Sequence, residues 1–261
     1  MMKNTTAGGN ICRKCLRIRR TSKQAYTCNT KKSFHYQPEF HYKITISSCY
    51  IRREDFTVVS KKNALLIELQ YLPAIAWFQE VIQYDTIFLD CKEHFVKGSY
   101  RNRCYILGAN GPQRLSIPLV KGKHQQTAME DVLICNDINW QKIHWQALRS
   151  AYKKSPFFEF YEDLFYPFYH RRFENLFAYN LQLLHLLFSI LRLKKEIVLT
   201  ANYIPPGTNG FADFRSVISP KKETPQHISL PVYTQVFSDR FQFYENLSII
   251  DFICNSGNAL A

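Results

Sequence analysis

The sequence predicts an α/β fold: a mixed sheet with flanking helices, a helical middle segment and a disordered N-terminal extension. Three observations carry the prediction. Short apolar runs at residues 64–69, 86–90 and 196–200 have the length and composition of strands buried on both faces. Apolar residues at helical spacing lie between and after them, the alternation expected of α/β proteins. Residues 1–63 show neither period.

That first quarter is read as a separate extension, and residues 64–261 as one α/β domain. Residues 1–63 carry 14 Lys and Arg against 3 Asp and Glu, so of the chain's formal charge of +13 only +2 belongs to the remainder. Basic blocks at Arg17-Ile18-Arg19-Arg20 and Lys31-Lys32 sit among Thr and Asn, a composition that buries too little apolar surface to offset ordering entropy. The body therefore offers no argument for nucleic acid. Cys12-x-x-Cys15 with Cys28 and Cys49 lacks the spacing of a zinc knuckle, and no metal or cofactor is expected. The eight cysteines are scattered through the chain, which argues against a disulfide scaffold. No apolar run reaches 18 residues, so no transmembrane segment is predicted, and no apolar region after Lys3 suggests a signal peptide. A cytoplasmic protein is expected.

Residues 64–69 form the first strand, and the Tyr71-Leu72-Pro73 turn ends it. Ile75, Phe78, Val81 and Ile82 then mark a helix over 74–83, with Pro73 where proline is tolerated at a helix start. Residues 86–90 return to strand. Residues 94–105 and 114–120 read as extended runs joined by a Gly108-Ala-Asn-Gly-Pro112 turn, and 129–135 as another strand. Trp140, Ile143, His144, Ala147, Leu148, Ala151 and Tyr152 make a complete amphipathic stripe, opened by Asp137 or Asn139 and closed by Ser155-Pro156. A second helix starts near Phe157 and kinks or breaks at Pro167. A third, over 174–193, is apolar around most of its surface and so buried. Residues 196–200 are strand, 203–231 a long loop of a kind usually functional or disordered, 233–237 strand again, and 247–254 a short helix that Asn246 can cap.

Chemistry is concentrated in a few places. As a strand, Lys97-Gly-Ser-Tyr-Arg-Asn-Arg103 would project Lys97, Ser99, Arg101 and Arg103 from one face. Such cations bind phosphate or carboxylate, or guard an edge strand. His144, on the apolar face of its helix, is a core histidine or a base. Asp85 and Asp90 bracket a strand, and ligands gather beyond the C-terminal ends of such strands; Asp is also a turn former there. Ser248, Asp251 and Asn255 form one polar stripe on an otherwise apolar helix, facing solvent or a cleft. A buried Asp251 needs partners, expected to be Lys97, Arg101, Arg103 or His144.

The same residues resemble the WbqC-like protein family. Gln70-Tyr71-Leu72-Pro73 with Trp77-Phe78, the strand from Asp85 to Asp90, Lys97 with Asn102-Arg103, and Leu115-Ser-Ile-Pro118 follow its pattern. So do Trp140, His144, Tyr152 and Ser155-Pro156-Phe157, then Tyr233-Thr-Gln235, Asn246-Leu-Ser248, Asp251 and Asn255-Ser-Gly257. The likeness implies a cytoplasmic transferase of surface-polysaccharide, O-antigen-type biosynthesis, with aminoacyl or glycine transfer to a sugar as the suggested reaction. A non-catalytic sugar-nucleotide-binding or assembly protein of that pathway is the alternative. The implied partners are a sugar nucleotide or lipid-linked sugar and an aminoacyl donor. The implied catalytic residues are Asp251 and His144. The implied substrate-binding residues are Tyr71, Asp90, Lys97, Asn102, Arg103, Tyr233, Gln235, Ser248 and Asn255.

Overall fold

Three of the apolar runs become neighbouring strands. In the computed structural model, which describes residues 51–54, 64–120 and 126–260, β2 (Ala64–Ile67), β3 (Thr86–Leu89) and β6 (Glu196–Thr200) lie side by side and parallel. β1 (Ile51–Glu54) extends the sheet beyond β6, and β7 (Ala212–Asp213) extends it beyond β2, giving the order β1-β6-β3-β2-β7 with every pair parallel. Strands covered on both faces are apolar at successive positions rather than alternate ones. Leu65, Ile67, Ile87, Leu89, Ile197 and Leu199 join the main core, while Ala64, Leu66, Phe88 and Val198 meet Ile204 and Phe211 on the other face.

Antiparallel pairing occurs in a separate hairpin, β4 (Arg103–Gly108) with β5 (Gly111–Ser116). Gly111 takes φ +101 at its turn, a conformation open to glycine at little cost. The helices are α1 (Ile75–Val81), α2 (Trp140–Tyr152), α3 (Phe158–His170), α4 (Leu176–Ile190) and α5 (Ile249–Ser256). None among the described residues is long and apolar enough to cross a membrane. α3 continues through Pro167 rather than breaking there.

β1 falls inside the segment read as an extension, pairing Ile51–Glu54 with Ile197–Thr200. The basic blocks and the Cys12, Cys15, Cys28 and Cys49 set lie outside the described residues.

The turn before α1 meets the start of α5. The Ile249 amide donates to the Pro73 carbonyl at 2.8 Å and the Ile75 amide to the Leu247 carbonyl at 2.9 Å. The Ser248 hydroxyl donates to the Leu72 carbonyl at 2.8 Å. Asn246 does not cap its own helix; its Oδ1 accepts from the Ala76 amide at 2.9 Å, serving the first turn of α1, and Ser248 caps α5. Open donors at a helix start are satisfied by whichever acceptor the tertiary fold supplies.

Two expected strands are absent, and a third, over 94–105, begins only at Arg103. Around Lys97–Arg103, Gly98 turns the chain at φ +86, Ser99 accepts from the Arg101 amide, and Tyr100–Asn102 closes a 3-10 turn before β4 begins. The four-residue cationic face therefore does not exist. Met129–Asp131 is likewise a 3-10 turn, followed by single bridges, Leu119 to Ile134 and Leu133 to Asn175. Residues 233–237 are loop. There the Gln235 side chain accepts from the Tyr244 amide at 3.0 Å and donates to the Tyr244 carbonyl at 2.8 Å, taking up groups that a sheet would otherwise pair.

Candidate functional site

The C-terminal ends of the parallel strands converge on a buried network of charge. Glu68 follows β2, Asp90 follows β3, Thr200 ends β6 and Asp213 ends β7. Apolar side chains specify each strand, and the first polar residue beyond it is placed at the sheet edge where α/β proteins bind ligands.

Asp90 organises one half. Its Oδ1 accepts from the amides of Lys92 and Glu93 and from the Thr200 hydroxyl, each at 3.0 Å. Its Oδ2 accepts from Arg215 Nη1 at 2.7 Å and from the Ile204 amide at 3.3 Å. Arg215 also grips Asp213 with both Nε and Nη2, at 3.0 and 2.6 Å. The other half is built on Arg101, wholly buried, whose Nε and Nη2 meet the two oxygens of Glu93 at 2.8 and 2.7 Å. Nη2 also reaches the Ser216 hydroxyl at 3.2 Å, and Nη1 has no acceptor among the described residues. Glu68 accepts from Gln70 at 2.7 Å and from the Ser216 amide at 2.7 Å. The loop after β6 thus covers this edge through polar contacts from Ile204, Arg215 and Ser216.

One guanidinium, Arg101, faces two buried carboxyls. Burial pushes Glu93 up to about 7, with Glu68 and Asp90 adding to the rise, against the pull of Arg101. Burial also raises Glu68, again opposed by Arg101. A proton is therefore exchangeable here near neutral pH, the condition for acid–base work. The native state binds a proton that the unfolded chain releases near pH 4.5, so Glu93 makes stability fall as pH rises from 4.5 to about 7. His144, lowered by burial to about 4, opposes that slope between pH 4 and 6.5. Glu93→Gln should remove the falling component, up to roughly 3 kcal/mol over the window. Urea titrations of both proteins at pH 4.5 and 7.5 check it; identical slopes would refute the assignment.

The residues singled out from sequence divide among separate places. Tyr71 and His144 lie together in the core. His144 Nδ1 lies 2.9 Å from the Tyr71 hydroxyl, and Tyr169 lies 3.1 Å beyond. This is the arrangement of a satisfied, neutral core histidine.

Asp251 is fully buried, but the expected cations are not its partners. Tyr152 donates to Oδ1 at 2.8 Å, and Tyr233 and Gln235 donate to Oδ2 at 2.5 and 3.4 Å. Desolvation raises its pKa while these three donors pull it down. Phenols can replace cations here because each supplies a hydrogen bond without a second desolvated charge. Asn255 donates to the Asp251 carbonyl at 2.8 Å.

Asn102 and Ser248 pin backbone, at Ile117 and Leu72. Arg103 Nε is buried with no acceptor among the described residues, and Lys97 is exposed. Of the residues singled out from sequence, Asp90 and Arg101 belong to the strand-end network. Glu68, Glu93, Thr200, Asp213, Arg215 and Ser216 were missed. A signal existed for Glu68, an acid directly after an apolar strand just as Asp90 is. Among the described residues no three His, Cys, Asp or Glu converge so as to hold a metal ion.

The sequence model of a family described as "WbqC-like protein family" matches residues 70–219, which takes in every strand-end residue named above except Glu68. An uncharacterized protein, Rv1507c, of Mycobacterium tuberculosis (strain ATCC 25618 / H37Rv) is 26% identical over 144 residues, 54% of this chain. The match spans 62% of that relative's length. No solved structure matches the chain.

Proposed function

The chain belongs to the WbqC-like protein family, and from that premise we propose that it is a cytoplasmic transferase of surface-polysaccharide biosynthesis, acting on a sugar nucleotide or lipid-linked sugar at the C-terminal edge of its parallel sheet. The observation that supports this reading best is the Glu93 carboxyl, held at about 7 beside Glu68 and Arg101. In the proposed reaction Glu93 takes the proton from an acceptor hydroxyl or amine as that group attacks the acyl carbon of an aminoacyl or glycyl donor. The new bond replaces the one from that carbon to the donor's leaving group, which departs with the electron pair and takes up the proton from Glu93. Arg101 keeps the carboxylate oriented, and its Nη1, without an acceptor, is available to the oxygen on which charge develops. Turnover requires the loop after β6 to withdraw. Its contacts with the edge are hydrogen bonds and ion pairs, which polar groups of a substrate can replace.

A non-catalytic sugar-nucleotide-binding role draws on a specific observation as well: both oxygens of Asp90 are already fully engaged, as in a structural anchor. Mass spectrometry of surface glycans separates the two. A deletion strain should lack a substituent that the wild-type gene restores and a stably folded Glu93→Gln variant does not. Restoration by Glu93→Gln would favour the binding role, and glycans unchanged by the deletion would remove the pathway assignment altogether.

A further inference from the structure

Above the buried network lies a second feature that the proposed chemistry does not use. Gly98 adopts φ +86, and the side chain of Lys221 lies so close that a Cβ at position 98 would sit 3.3 Å from its Cε and 3.4 Å from its Nζ. The backbone angle favours a glycine at 98, while the end of the exposed Lys221 side chain can yield to a Cβ by a few tenths of an ångström. Lys221 therefore rests across a turn whose preceding residue, Lys97, is also exposed. Neither lysine forms an ion pair with a carboxylate among the described residues, although Glu223 stands two positions beyond Lys221.

The next lysine joins this place to the strand-end network. Lys222 Nζ donates to the Ser216 carbonyl at 2.9 Å, and the hydroxyl of that same serine accepts from Arg101. Ser216 is held at φ +59, with its amide on Glu68. Three groups of one residue thus face three charged side chains. Arg215, its neighbour, carries its guanidinium 5.6 Å from the centre of the Tyr203 ring, and Tyr203 is 51% exposed. Arg101 and Arg215 are paired with carboxylates; the ammonium groups of Lys97 and Lys221 are not, and a bound anion would supply the missing counter-charge. Lysine ammonium groups suit phosphate oxygens as point charges.

We infer that the rim made by Lys97, Gly98, Lys221 and Lys222 binds the diphosphate of the substrate. Naming that anion a diphosphate rests on the proposed function, since sugar nucleotides and lipid-linked sugars share the group. The rim lies partly beyond the matched family segment, because Lys221 and Lys222 follow residue 219.

Calorimetric titration of the full chain with inorganic pyrophosphate tests the site. The wild-type protein should bind it. The Lys97→Ala/Lys221→Ala double variant should bind about tenfold more weakly or worse, with an unchanged urea midpoint because both side chains are exposed. Uridine diphosphate and geranyl diphosphate, titrated in parallel, distinguish a nucleotide source from a lipid-linked one. A wild-type chain that does not bind pyrophosphate, or a double variant that binds it within twofold of wild type, overturns the inference. Glu93→Gln should bind pyrophosphate normally. If it does and still restores the glycan, the catalytic reading fails while the rim stands.

Discussion

Asp90→Ala should destabilise the protein by more than about 4 kcal/mol, among the largest effects available to a single substitution. The carboxylate is 2% exposed and accepts from three backbone amides, those of Lys92, Glu93 and Ile204, as well as from Thr200 and Arg215. Each buried donor left without an acceptor costs about 1–3 kcal/mol, and the methyl group of alanine serves none of them. The loss would also free the loop after β6, since Ile204 and Arg215 are two of its attachments. Asp90→Asn should fall between. One oxygen can still serve the amides of Lys92 and Glu93, but the amide nitrogen must then face the Ile204 amide and the Arg215 guanidinium, donor against donor. Urea unfolding of the three proteins measures the order. A loss below about 1 kcal/mol for the alanine variant would mean that water replaces the carboxylate at this edge.

Arg101→Met should cost about 3–5 kcal/mol, the range seen when one partner of a buried ion pair is removed. Arg101 is wholly buried and meets Glu93 through two parallel hydrogen bonds. Methionine fills much of the volume and supplies no charge. Glu93 and Glu68, already raised with Arg101 present, would then rise further. A carboxyl raised in the native state lowers stability as pH climbs past its unfolded value, so the loss should be smaller at pH 5 than at pH 8. Adding Glu93→Gln to Arg101→Met should recover part of it, since the second change removes the charge that the first left stranded. A pH-independent loss, or no recovery in the double variant, would show that Arg101 matters for packing and not for its charge.

These two residues mark how far the sequence could be read. Asp90 was legible as the first polar residue after an apolar strand, read as a turn former or a strand-end ligand residue; its Oδ1 on the amides of Lys92 and Glu93 is the turn former's contact. Arg101 was noticed as a cation and given the wrong setting. A period-two reading of residues 97–103 put it on a strand face beside Lys97, whereas Gly98 at φ +86 and the Ser99 turn send it inward to Glu93. Asp251 followed the same course. Its burial was foreseen from the apolar helix around it, but its partners came from Tyr152, 99 positions away, and from Tyr233 in a segment expected to be strand.

Periodicity by itself determined the α/β class, the three central strands and the five helices, because which face of an element is buried depends on residues two to four positions apart. Only the tertiary structure decided the site. A buried charge takes whichever partner the fold brings within about 3 Å, and for Asp90 that was Arg215, 125 positions along the chain. No local pattern encodes such a pairing, since its geometry is set by where the loop after β6 crosses the ends of the strands.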